Sequence, residues 1–179
     1  FEELLSHRLC LRRLRQQSAQ HLAPVMAAHS RLSQAFLKQL PFSLTGAQSR
    51  VCREISHDLS LQQPMLRLLQ GDVGSGKTVV AALAALQAVD SGYQAVIMAP
   101  TEILAEQHHV NFSQWLAPLG LQPGWLSGKV KGRQRQQTLQ GLQDGSSQIA
   151  VGTHALFQEG VEFNNLGLII IDEQHRFGV

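Results

Sequence analysis

The sequence predicts an α/β fold: a mainly parallel sheet flanked by helices and preceded by an α-helical extension. Three observations lead there. From residue 65 onward, short apolar runs alternate with helix-length segments. Most of the strand candidates centre on continuous apolar runs, as strands covered on both faces do. Glycine-rich and acidic residues stand where several of those runs stop, and sheets of this kind bind ligands at the carboxyl ends of their strands.

Taken in chain order, residues 2–20 read as a helix with Leu4, Leu5, Leu9, Leu11 and Leu14 on one broad stripe. Pro24 interrupts it, and a second helix over 25–40 ends before Pro41. Thr45 is the N-cap of a third helix that runs to about Leu59 and turns Val51 and Ile55 inward. Strands follow at 65–70, 94–99, 122–126, 148–152 and 168–172. Helices at 77–91, 101–116 and 131–143 fall between them. The division into domains is a helical connector over 1–40 and a single α/β lobe over 41–179.

The chain has 179 residues, of which 44% are hydrophobic and 16% charged, so a sizeable core is affordable and disorder is not expected. Cys10 and Cys52 form no disulfide framework and match no metal-ligand spacing. With no secretory signal, they point to a reducing cytoplasm. The longest apolar run, residues 166–171, is far too short to span a bilayer, so no membrane role is expected. Residue 1 is Phe, which implies that the natural chain begins earlier. The net charge of +2 is unevenly spread: residues 1–53 carry eight Lys or Arg against Glu2 and Glu3, and Lys129, Lys131, Arg133 and Arg135 form a second basic run. Such runs are either phosphate-contacting surface or solvated helix faces, and charge alone does not decide.

The chemistry sits in two motifs. Gly71, Asp72, Val73, Gly74, Ser75, Gly76, Lys77 and Thr78 make a full G-x-x-x-x-G-K-[ST] loop between a strand and a helix. Glycines let the backbone curl its N–H groups toward phosphate oxygens, and the next helix adds its positive end. Lys77 is placed to reach the β- and γ-phosphates, and the Thr78 hydroxyl to ligate Mg²⁺, so ATP and Mg²⁺ are the expected ligands. The second motif ends the run L-I-I-I with Asp172 and Glu173. Asp172 is read as holding Mg²⁺ through its water shell. Glu173 is read as the group that orients and deprotonates the attacking water.

Asp172-Glu173-Gln174-His175 is a D-E-x-H box, and with the glycine loop it resembles the superfamily 2 helicases. P-F-S-L-T-G-A-Q (41–48), A-P-T-E-I-L-A-E-Q-H (99–108), V-G-T-H-A-L-F-Q (151–158) and D-E-Q-H-R-F-G-V (172–179) narrow the resemblance to the bacterial ATP-dependent enzymes that remodel branched DNA. The related transcription-repair coupling factor usually reads D-E-E-Q at the box, so His175 favours the former. The resemblance implies a RecA-like lobe. It implies that Gln48 reads the adenine edge, which an amide can do by donating and accepting; Phe42 either packs near the base or anchors the packing of the N-terminal helix. Pro100, Thr101 and Glu102, then Gly128, then Gly152, Thr153 and His154, match loops that touch the phosphate backbone of one DNA strand. Gln174 and His175 match groups that couple nucleotide to the other lobe. Neither His154 nor His175 has a second metal ligand at suitable spacing.

The resemblance also implies partners outside these residues: a wedge domain before residue 1, and an S/T-A-T-P motif and a second RecA-like lobe with arginine fingers after residue 179. In that family the strand leading to S/T-A-T-P lies between the strand before the glycine loop and the strand before the D-E-x-H box. Within these 179 residues the two flanking strands are therefore expected to pair directly, or else to need a strand from elsewhere. Other P-loop classes fit less well, since a guanine-reading N-K-x-D motif does not occur. A module that binds nucleotide and DNA without turnover, and the motor lobe of the coupling factor, remain as alternatives.

Overall fold

The computed structural model describes residues 21–28, 30–72 and 74–172. The helix expected over 2–20 lies outside them. Among the described residues the element order is α1 (Arg31–Gln39), α2 (Gly46–Leu59), α3 (Lys77–Asp90), β1 (Gln94–Met98), α4 (Glu102–Leu116), β2 (Gly124–Leu126), α5 (Gly132–Asp144), β3 (Ile149–Gly152) and β4 (Leu166–Ile171). The strands form one sheet in the order β2-β3-β1-β4, and every pairing is parallel. All four carboxyl ends therefore open on the same edge. Residues 99–101, 127–128, 153–154 and Asp172 share that edge.

Helix α3 is the centre of the core. Its sequence is apolar almost all round, the pattern of a helix buried on every side. Ala82, Ala85, Leu86 and Ala88 have no exposed surface. It packs on α1 and α2 on one side and on β1 on the other. Burial of Leu86 alone is worth about 1.5–3 kcal/mol. Buried Gln87 survives there because its amide donates to the carbonyls of Met26 and Ser56, each at 3.2 Å.

Two expectations are corrected. The helix read over 25–40 begins only at Arg31, where Ser30 accepts from Ser33 N at 3.0 Å as N-cap. The residues before it are held away from helix by distant partners. Met26 N donates to Leu59 O, Ala23 N to Gln62 O, and Ala27 N to Ser91 Oγ. Met26 and Phe36 are buried in the same core as α3, so this stretch packs onto the lobe.

The segment 65–70 is not a strand and joins no ladder. Met65 and Leu69 pack against the core, whereas Leu66 and Leu68 are 77% and 70% exposed. On the sheet side, β4 pairs with β1 and with no other described strand, and Ile169 and Ile171 are about half exposed. Direct pairing of these two segments does not occur. An extended chain becomes a strand only through a hydrogen-bonding neighbour, and 65–70 has none among the described residues.

Candidate functional site

The glycine loop is shaped by its own sequence. Gly74 and Gly76 adopt φ of 79° and 80°, in the left-handed region where side chains strain the backbone. A Cβ on Gly71 would lie 2.7 Å from Ser75 Oγ, and one on Gly76 would overlap the Gln48 amide. Ser75 N donates to Asp72 O at 3.1 Å and closes the turn. Helix α3 then starts with Gly76 as N-cap and no side-chain cap. That leaves a helix N-terminus facing the loop, with its amides and dipole directed at whatever the loop encloses. Lys77 folds back over the loop, with Nζ donating to Gly71 O at 2.6 Å and Asp72 O at 2.9 Å. Val73 lies outside the described residues.

Gln48 is tied to this loop. It is the N3 residue of a capping box: its Oε1 accepts from Thr45 N at 2.8 Å, and its N–H donates to Thr45 Oγ1 at 3.2 Å. Its Nε2 donates to Ser75 O at 2.8 Å. A side-chain amide has two donors and two acceptor lone pairs, so these bonds leave capacity on both ends. Phe42, 48% exposed, lines an open groove with Leu37, Leu40 and Ser49, the last adjacent in sequence to Gln48.

On the sheet edge, Asp172 N extends the β1–β4 ladder by donating to Met98 O at 2.8 Å. Its Oδ2 lies 2.7 Å from His108 Nε2 of α4. A hydroxyl (Thr78) and a carboxylate (Asp172) are hard oxygen donors of the kind Mg²⁺ takes while keeping several waters. Glu173, Gln174 and His175 lie outside the described residues.

The remaining candidates divide by burial. Thr101 is exposed and caps α4, accepting from Leu104 N at 3.3 Å. Pro100 is half-buried beside it, and Gly128 is exposed in the turn after β2. Glu102 pairs with Lys129 Nζ at 2.9 Å, and the carboxylate's hydrogen bond holds the Lys129 pKa above its usual range. This joins the start of α4 to the turn after β2. His154 is exposed at the start of a 3-10 turn (His154–Phe157). Thr153 is only 2% exposed, and its hydroxyl caps that turn by accepting from Ala155 N at 3.5 Å. Gly152 is also buried: a Cβ there would overlap the Leu126 carbonyl oxygen. Packing of β2 on β3 is thus sufficient reason for glycine at 152. Gly152→Ala should destabilise the lobe by about 1–3 kcal/mol, the range for overpacking, read as a lower denaturant midpoint at unchanged slope. An unchanged midpoint would mean that β2 can retreat at no cost.

The sequence motifs assign no role to His108, and they place Lys129 only in a basic run. A signal for His108 was present in the sequence, since its spacing with Ala105 and Phe112 puts a polar ring on the buried stripe of α4. No spacing rule reports the Lys129 contact.

Comparison with known proteins fits this geometry. The family model "DEAD/DEAH box helicase" matches residues 45–179. The chain belongs to the DEAD/DEAH box helicase family. Curated helicases similar to it include the ATP-dependent DNA helicase RecG of Pasteurella multocida, 57% identical over 179 residues, all of this chain and 26% of that protein. RecG of Escherichia coli K12 is 55% identical over 178 residues, 99% of this chain and 26% of that protein. A solved structure of RecG bound to a three-way DNA junction superposes with a TM-score of 0.90 at 43% identity, covering 99% of this chain and 24% of that one. The chain thus spans about a quarter of the length of the helicases it matches. No described helix is long and apolar enough to cross a membrane.

Proposed function

We propose that the chain is the ATP-binding lobe of an ATP-dependent DNA helicase that remodels branched DNA, acting in the cytoplasm in DNA repair and recombination. The observation that carries this reading is the positive-φ glycine loop running into an uncapped α3 N-terminus, in a chain of a helicase family whose RecG relatives are ATP-dependent DNA helicases. Gly71 to Thr78 hold the phosphates, with Lys77 leaving its loop carbonyls for the β- and γ-oxygens. The remaining donor and lone pair of Gln48 read the adenine edge, and Phe42 packs near the base. Thr78 and Asp172 hold Mg²⁺, which neutralises charge developing on the phosphates. Glu173 accepts the water's proton, and Gln174 and His175 report the nucleotide to a second RecA-like lobe of the same full-length chain. A wedge domain is the further partner.

In the DNA part of the proposal, Thr101, Gly128 and His154 are the exposed contacts, flanked by Pro100, Glu102 and the Lys129–Lys131 run. Buried Gly152 and Thr153 shape the loop and contribute backbone at most. Such contacts are phosphate-directed and sequence-independent. Three or four phosphates contacted on one strand give a log–log salt slope of about −2 to −3. Affinity of the full-length protein for unrelated junction sequences at several salt concentrations checks this. Strong sequence preference or a flat salt dependence would count against it. Measuring nucleotide affinity separately from hydrolysis, with and without a three-way junction, tests the reading as a whole. Binding without DNA-stimulated turnover would favour a non-catalytic module.

A further inference from the structure

We propose that His108 is a positioning residue for the Asp172 carboxylate, fixing the direction from which that carboxylate meets the hydrated Mg²⁺ of the nucleotide; this rests on the reading of Asp172 as the metal-side carboxylate. The two residues are 64 positions apart and meet at 2.7 Å. An ionised carboxylate only accepts, so Nε2 carries the proton and donates to Oδ2. The contact is partly screened from water, with side-chain exposures of 14% for His108 and 33% for Asp172.

The other ring nitrogen makes the case sharper. Nδ1 is buried and has no hydrogen-bond partner among the described residues. An apolar side chain would fill the stripe between Ala105 and Phe112 without burying an unmatched nitrogen. What histidine brings to this position, and an apolar residue would not, is the bond from Nε2. The element behind it is firmly held. Helix α4 is capped by Thr101, and its first turn is tied to the strand-end surface through Glu102 and Lys129. A ring presented from a held helix orients its acceptor better than one on a loop. Hydrogen-bond partners of direct metal ligands typically change metal affinity about 10–100-fold when removed, and because Asp172 meets Mg²⁺ through water the lower end of that range applies here.

The test uses the full-length protein and a fluorescent ADP analogue, titrated in EDTA and across a series of Mg²⁺ concentrations, for His108→Gln, His108→Leu and Asp172→Asn. Thermal melting checks that each variant folds. Wild-type affinity in EDTA is expected for both His108 variants. The Mg²⁺ concentration for half-maximal tightening should rise at least about tenfold in His108→Leu. His108→Gln, which keeps a donor at similar reach, should stay close to wild type. Equal Mg²⁺ curves for the Gln and Leu variants would overturn the positioning role, provided Asp172→Asn shifts the curve. Should Asp172→Asn itself follow the wild-type curve, the metal assignment fails and the role of His108 fails with it.

Discussion

Replacing Glu173 with Gln in the full-length protein should leave nucleotide affinity essentially intact and lower DNA-stimulated turnover by about 10²–10⁴-fold. The expectation follows from what each atom can do. Asp172, one residue earlier, directly follows β4 with its backbone bonded to Met98 O and its carboxylate to His108, so its place is fixed by the sheet and by α4. The group assigned to the attacking water is the adjacent carboxylate. Glutamine matches glutamate in length and shape, so a role limited to packing or hydrogen-bond acceptance would survive the change. Proton acceptance would not, because an amide oxygen is a very weak base. Steady-state ATPase rates beside equilibrium binding of the fluorescent ADP analogue separate the two cases. A fall in turnover of less than tenfold would exclude Glu173 as the base.

How much of this was legible in the sequence depended on how local the cause was. Thr45 and Gln48 form the capping box that their spacing announces, and the turn from Gly71 to Lys77 follows from residues within one loop. Strands β1, β3 and β4 were legible because each centres on a continuous apolar run, as at residues 95–98, the pattern of a strand buried within a sheet. The segment 65–70 is also mainly apolar, apart from Arg67 and Gln70, and is no strand, because an apolar run reports side-chain burial and says nothing about a pairing neighbour. The start of the helix read over 25–40 misled for a related reason: Met26 and Ala27 are kept out of helix by Leu59 and Ser91, both more than 30 positions away.

The site shows the same division. The strand-end positions of Thr101, Gly128 and Asp172 could be read from where apolar runs stop. The assignment of Gly152 to DNA could not be weighed against packing, because the Leu126 carbonyl that excludes a Cβ arrives through the β2–β3 register. The burial of Thr153 arises in the same way, since its N–H donates to Leu126 O at 3.1 Å. The bond between His108 and Asp172 required α4 to be docked first, and no motif spacing encodes that.

Lys77→Ala should weaken ATP binding by about 10- to 150-fold, the equivalent of losing one charge-assisted hydrogen bond of about 1.5–3 kcal/mol. The structure sharpens what the lysine has to do. Its ammonium is already satisfied by Gly71 O and Asp72 O, at 2.6 and 2.9 Å, so binding exchanges two neutral carbonyl acceptors for charged phosphate oxygens. The gain is the difference between those acceptors and rests mostly on phosphate charge. Adenosine, which lacks phosphates, should therefore bind wild type and Lys77→Ala alike, whereas ATP should discriminate between them. The same two bonds brace the loop without ligand, so the alanine variant should also show faster amide exchange at residues 71–76. Lys77→Arg keeps the charge, but its planar fork does not fit the point-charge geometry that a lysine ammonium offers. It should recover part of the affinity and little of the turnover. Isothermal titration with ATP, ADP and adenosine measures all of this in one series. Equal loss for adenosine and ATP would show that Lys77 acts through loop shape alone, and unchanged ATP affinity would remove phosphate binding from this loop altogether.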